Sequence, residues 1–217
     1  MKIKVCGMKH NLAEVAQLEP DYLGFIFYIK SPRDITKHED LNMNTHISEK
    51  TKRVGVFVKA SVKFILDKIE SHNLDVIQLH GDENPDFVRS LSHEISAIFD
   101  VTKRDIAIWK VFSIKDKFNF ADLEPYETYA DAFLFDTKGK EKGGNGFTFD
   151  WSVLKDYPSN TPIILSGGIG LDNVEKLQQI QKTKLPIHAI DVNSKFEIEP
   201  GLKDIARLQQ FIKEFEN

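Results

Sequence analysis

Short runs of apolar and β-branched residues recur along this chain, each followed by a polar turn and then a longer stretch with apolar positions at helical spacing. The runs that predict strands are Ile3–Cys6, Tyr22–Phe27, Arg53–Val58, Asp75–Leu79, Ile106–Phe112, Ala132–Phe135, Ile163–Leu165 and His188–Val192. Between them, Val62, Phe64, Ile65 and Ile69 form an apolar helical face opposite Lys63, Asp67, Lys68 and Glu70. Val174, Leu177 and Ile180 form another behind Asp172, which reads as an N-cap. The stripe Ile205, Leu208, Phe211, Ile212 and Phe215 predicts a closing helix, whereas residues 31–52 have few apolar positions and read as a long loop holding at most a short helix. Strands beginning roughly every 26 residues and alternating with helices predict an α/β fold, a (β/α)8 TIM barrel. A single domain over residues 1–217 is expected. An open doubly wound sheet would use the same alternation, but no G-x-G-x-x-G follows the first strand and the closing helix follows an eighth strand.

Composition narrows the classes of function. The chain is 41% apolar and 29% charged with a net charge of −4, and Lys and Arg are dispersed, so no basic surface is expected to neutralise a nucleic acid backbone. A single cysteine excludes an intramolecular disulfide and a cysteine-rich metal site, and fits a reducing compartment. No apolar run approaches the ~18 residues of a membrane span and the N-terminus has no secretory pattern. The expectation is a cytoplasmic protein, complete from its first strand, without a membrane partner. The seven histidines include no compact metal-binding spacing, so no metal site is expected.

In a parallel barrel the C-terminal ends of all strands face one mouth, so the residues there are the candidates for chemistry. Cys6 ends the first strand, as either a small buried hydrophobe or a reactive thiol. Arg33 follows the second strand and is either solvated or a bidentate clamp for a carboxylate. His80 follows the fourth and is either structural or catalytic. Asp136 follows the apolar run Ala132–Phe135, as a loop cap or a general acid. Asp191 ends the eighth strand, with a structural role favoured. The turn Leu165-Ser166-Gly167-Gly168-Ile169-Gly170 precedes a helix and suits a phosphate; the alternative is a tight connection. Asn193-Ser194-Lys195 would fall beside it. The glycine-rich segment from Gly139 to Gly146 reads as a lid or as a plain loop.

Taken together these motifs resemble the phosphoribosylanthranilate isomerase family, a barrel family of tryptophan biosynthesis. Lys4-Val5-Cys6-Gly7 matches its K-[IV]-C-G opening, and Gly24-Phe25-Ile26-Phe27 with Ser31-Pro32-Arg33 matches its second strand and loop. Arg53–Val58 matches its third strand and Gln78-Leu79-His80-Gly81 its Q-L-H-G. Phe135-Asp136-Thr137, Gly143-Gly144-Asn145-Gly146 with Phe149-Asp150-Trp151, Leu165-Ser166-Gly167-Gly168 and Pro200-Gly201-Leu202-Lys203-Asp204 follow in order, so the resemblance covers the whole chain.

The resemblance implies an aldose–ketose isomerase that turns N-(5'-phosphoribosyl)anthranilate into 1-(2-carboxyphenylamino)-1-deoxyribulose 5-phosphate, an Amadori rearrangement without metal or cofactor. It implies Asp136 as general acid and Cys6 as general base. Arg33 would hold the anthranilate carboxylate and Gly167, Gly168 and Ser194 the phosphate; beyond the resemblance, His80, Asp191 and Lys195 are expected on the substrate too, with Lys195 adding charge at the phosphate. The expected partner is a small sugar phosphate, with the chain a monomer or homodimer. Where the family has glycine after Ser194 this chain has Lys195, so the turn must either differ or avoid positive φ. Related barrel isomerases with a carboxylate at the position of Cys6, a metal-dependent epimerase, and a silent sugar-phosphate-binding barrel are the competing readings.

Overall fold

The computed structural model describes residues 1–37, 47–99, 104–137 and 148–216. Its strands are β1 (Lys2–Cys6), β2 (Tyr22–Phe27), β3 (Lys52–Phe57), β4 (Val76–Leu79), β5 (Ala107–Ile114), β6 (Ala132–Thr137), β7 (Ile163–Leu165) and β8 (Ile187–Val192). Each pairs in parallel with the next, and β1 also pairs with β8, so the sheet closes into a barrel. A two-stranded antiparallel ribbon, β9 (Glu197–Glu199) and β10 (Leu202–Lys203), follows β8.

Among the described residues five helices accompany the strands: α1 (Leu12–Ala16), α2 (Val62–His72), α3 (Pro85–Phe99), α4 (Val174–Gln181) and α5 (Ile205–Glu216). Helix α2 starts where the Ser61 side chain accepts from the Phe64 N–H at 3.2 Å, and ends at Asn73 in the left-handed region. After β5 and β6 the covering segments are 3-10 turns, Phe120–Tyr126 and Trp151–Asp156, in place of full helices. Asp172 does not cap α4. It lies inside a 3-10 turn, Leu171–Asn173, and the Asn173 side chain instead turns back to accept from the Gly170 N–H at 2.8 Å. Strand β6 runs two residues further than the apolar pattern suggested, so Asp136 and Thr137 belong to the strand itself. The glycine-rich segment 139–146 lies outside the described residues, as does much of the loop from 31 to 52.

Strand periodicity of two sorts the side chains into two cores. Outward-facing residues such as Val5, Phe25, Phe133 and Ile190 pack against the helices in one large cluster. Inward-facing Tyr22, Val54, Val76, Trp109, Val111, Leu134, Ile164 and Ala189 fill the barrel. Tyr22 closes the lower end, with its ring edge-on to Trp109 at 4.9 Å and its hydroxyl 2.7 Å from His188 Nε2. The upper interior is more polar, because the same inward rows end in Cys6, Gln78, Asp136, Ser166 and Asp191.

The last helix holds the chain end onto the barrel through Leu208, Phe211 and Phe215, and the Phe211 ring lies 5.0 Å from that of Phe196, just beyond β8. Among the described residues no helix is long and apolar enough to cross a membrane. Replacing the buried Phe211 by alanine is expected to lower unfolding stability by about 3–5 kcal/mol. Urea denaturation checks this, and a loss below about 1 kcal/mol would show that the helix end is not a structural clamp.

Candidate active site

A cavity opens at the C-terminal ends of the strands, and all nine residues expected at a site line it: Cys6, Arg33, His80, Asp136, Gly167, Gly168, Asp191, Ser194 and Lys195. Ile26, Tyr28, Ser31, Val56, Val58, Gln78, Ser166, Ile169 and Asn193 complete the wall. Parallel closure is the reason: residues as far apart in sequence as Cys6 and Lys195 are brought to one rim.

Cys6 is the last residue of β1 and is buried. Gly7 after it has φ +79°, and a Cβ there would stand 2.7 Å from Arg33 Cδ and 2.8 Å from Asn193 Oδ1. Only glycine permits both this turn and the close approach of the arginine. Burial pushes the Cys6 thiol above its ordinary range, and the charge of Asp191 adds to that; the ammonium groups of Lys4 and Lys203 act in the opposite direction.

Asp136 faces two partners. The N–H of Thr137 donates to its Oδ1 at 2.9 Å, and His80 Nε2 stands 3.4 Å from its Oδ2. Gln78 Nε2 lies 3.2 Å from His80 Nδ1. With the amide donating, Nδ1 is the acceptor and the imidazole proton sits on Nε2, towards Asp136. The loop bearing His80 is fixed from behind by Glu83, which accepts from the N–H groups of Lys59 at 2.8 Å and Gly81 at 2.9 Å. The buried Lys110 ammonium faces Glu83 Oε2 at 3.4 Å and donates to the Gly81 carbonyl at 2.9 Å.

Arg33 is not a solvated loop arginine. Its Nε and Nη2 form a fork onto Glu197, with Nε 2.9 and 3.0 Å from the two carboxylate oxygens and Nη2 2.6 Å from Oε2. Lys203, fully buried, donates to Glu197 Oε1 at 2.8 Å and to Asn193 Oδ1 at 2.7 Å. Burial alone would raise the Glu197 carboxyl, but the two cations outweigh it and hold the group below its ordinary range. Burial pulls the Lys203 ammonium below its ordinary range, and Glu197 opposes that only in part. Two cations share one carboxylate, so the cluster presents a net positive charge beside the cavity, and Arg33 Nη1 donates to no described residue.

The turn after β7 points backbone N–H groups to the cavity rim through two left-handed glycines. Gly167 and Gly168 have φ +87° and +63°, and a Cβ on Gly167 would stand 2.6 Å from the Thr137 backbone nitrogen. The close approach leaves no room for a side chain at Gly167, and its left-handed backbone favours glycine as well. Nothing among the described residues accepts from the N–H groups of Gly167, Gly168, Ser194 or Lys195. Ser194–Phe196 forms a 3-10 turn, and Lys195 is not among the described residues with positive φ, so the family's glycine is dispensable here. The Lys195 stem lies along Gly170, within 3.5 Å of where a Cβ there would be, which joins the turns after β7 and β8 into one rim.

Sequence reasoning missed the groups behind the site: Lys4, Glu83, Lys110, Glu197 and Lys203. The inward parity of Lys4 with Cys6 was readable; the fork from Glu197 was not, because it spans 164 residues. Among the described residues no group of three His, Cys, Asp or Glu is arranged to hold a metal ion.

Comparison with known proteins agrees with this architecture. The family model described as N-(5'phosphoribosyl)anthranilate (PRA) isomerase matches residues 1–214. The N-(5'-phosphoribosyl)anthranilate isomerase of Parabacteroides distasonis is 40% identical over 99% of this chain and 93% of its own length. That of Campylobacter jejuni is 40% identical over 99% and 98%. The crystal structure of phosphoribosyl anthranilate isomerase from Thermotoga maritima, 30% identical, superposes with a TM-score of 0.79 over 100% of this chain and 98% of that one. A further solved phosphoribosyl anthranilate isomerase, 27% identical with a TM-score of 0.76 over 100% and 98%, is in complex with reduced 1-(o-carboxyphenylamino)-1-deoxyribulose 5-phosphate. On sequence, fold and the composition of its barrel mouth, the chain belongs to the N-(5'-phosphoribosyl)anthranilate (PRA) isomerase family, aldose–ketose isomerases of tryptophan biosynthesis.

Proposed function

We propose that this chain, as a monomer or homodimer, rearranges N-(5'-phosphoribosyl)anthranilate to 1-(2-carboxyphenylamino)-1-deoxyribulose 5-phosphate by general acid and general base catalysis, without a cofactor. The observation that carries this reading is the placement of a thiol and a carboxyl, Cys6 and Asp136, on the wall of one cavity. A glycine cradle and a carboxylate-clamped arginine line the same cavity.

The substrate's phosphate lies against the N–H groups of Gly167, Gly168 and Ser194, with Lys195 adding charge. Its anthranilate carboxylate meets Arg33, whose fork to Glu197 leaves Nη1 for the ligand. Asp136 gives a proton to the furanose ring oxygen. The C1–O bond breaks, and the nitrogen lone pair forms the C1=N bond of a Schiff base. Cys6, as thiolate, then removes the C2 proton; the electron pair of that bond moves into C1=C2 while the C1=N π pair returns to nitrogen, giving an enolamine, which tautomerises to the ketone. His80 keeps the acid oriented and touches the substrate on the same side.

Each step sets a measurable expectation. In a coupled assay where anthranilate and phosphoribosyl pyrophosphate generate the labile substrate, the protein should quench that substrate's fluorescence; folded protein without turnover ends the isomerase reading. Cys6→Ala and Asp136→Asn are each expected to lower kcat by ~10²–10⁴-fold while keeping affinity for the reduced product analogue. Near-normal rates in either variant would remove that residue from the mechanism. Arg33→Ala should act mainly on KM, and Glu197→Gln in the same direction but more weakly, because the guanidinium stays and only its orientation is lost. Steady-state kinetics showing a kcat effect alone would contradict the carboxylate contact.

A further inference from the structure

Lys4 is an unusual occupant of a barrel interior. It is fully buried, two residues before Cys6 on β1, and strand alternation turns both side chains inwards. In the sheet register it stands level with Tyr22 on one side and Asp191 on the other. The filling around and below it is apolar, with Val54, Val76 and Trp109 in the same inner cluster as Tyr22. An apolar side chain would fit this layer without the desolvation of an ammonium, so stability does not explain a lysine here.

Its contacts point upwards instead. Lys4 Nζ donates to Asp191 Oδ1 at 2.8 Å, while Asp191 Oδ2 faces Ser166 Oγ at 3.4 Å. Gly24 opens a notch that Lys4 and Cys6 share: a Cβ there would lie 2.8 Å from Cys6 Sγ and 3.1 Å from Lys4 Cε. The ammonium therefore pairs with a carboxylate while the end of its stem shares a notch with the thiol, which places one positive charge where it acts on two acids.

We propose that Lys4 is a positioning residue for the reaction, whose buried ammonium, anchored by Asp191, stabilises the thiolate form of Cys6. This rests on the base role of Cys6 proposed above. When Cys6 removes the C2 proton, the C–H bond breaks, an S–H bond forms, the electron pair enters the C1=C2 bond and the C1=N π pair returns to nitrogen. Lys4 keeps its own proton throughout, and then pairs with Asp191 alone. Its ammonium is held above the ordinary range: burial works against it, and Asp191 together with Cys6 outweighs burial. Lys203 from β10 also acts on the thiol, and Arg33 lies against Gly7, both drawn onto Glu197; His80, Asp136 and Lys195 line the same cavity, and β2 sets the uncharged Gly24 beside Cys6. Asp191 raises the thiol and Lys4 lowers it, so the two are expected to move Cys6 in opposite senses.

The test uses the full chain, in which Cys6 is the sole cysteine, and follows its alkylation by iodoacetamide as a function of pH. Lys4→Met should shift the midpoint of thiolate formation up by about one pH unit or more, slowing alkylation about tenfold at neutral pH. Asp191→Asn, which leaves Lys4 facing Cys6 alone, should shift it down. Because Lys4→Met strands a buried carboxylate, Lys4→Met is also made in the Asp191→Asn background, where it should raise the midpoint by the same sense and size. A midpoint in that double variant within about 0.3 units of Asp191→Asn, or no downward shift in Asp191→Asn itself, overturns the proposal. Shifts as stated with no isomerase turnover would leave the stabilisation of the Cys6 thiolate by Lys4 standing and end the isomerase reading, with the positioning role in that reaction.

Discussion

The pairing of β1 with both β2 and β8 is the constraint on which the rest of the molecule depends. Closure leaves no sheet edge and sends every strand's C-terminal end to one mouth. It also sets the register: Lys4 level with Asp191, and Cys6 level with Gly24. Were β1 to slip by one residue against its neighbours, Lys4 and Cys6 would face the helices, and the thiol would be the inert buried hydrophobe that a lone cysteine usually is.

Around that frame the polar groups follow a repeated scheme. Among the described residues three lysines are buried, and each meets a carboxylate from a different element: Lys4 with Asp191, Lys110 with Glu83, and Lys203 with Glu197. Ion pairs this deep add little net stability over apolar filling, since desolvation offsets their attraction. Each stands directly behind one residue of the cavity. Lys4 and Asp191 flank Cys6, Glu83 and Lys110 hold the backbone that carries His80, and Glu197 with Lys203 aims Arg33. The site is thus held from the barrel interior and from the ribbon after β8, on rigid elements, which is what catalysis by orientation requires.

The sequence reading and the structure part company in informative places. Asp172 looked like a cap because it precedes an apolar stripe, but the local chain wound a 3-10 turn and Asn173 took the bond to Gly170. Lys195 looked costly where the family has glycine; the turn after β8 keeps it out of positive φ, so the substitution adds a cation without backbone strain. Arg33 was readable as a clamp by residue type, yet the carboxylate it grips first is the protein's own.

The sequence by itself determined the alternation of strand and helix, the eight strands of the barrel though not the ribbon after β8, and the residue types delivered at each strand end, because these follow from local periodicity and from motif order along one chain. That is why all nine site residues fall on one cavity. Only the tertiary structure decided what stands behind them. The partners of Cys6, His80 and Arg33 depend on barrel register and on contacts such as Lys4 with Asp191, which are 187 residues apart, and no local pattern encodes a pairing across that separation.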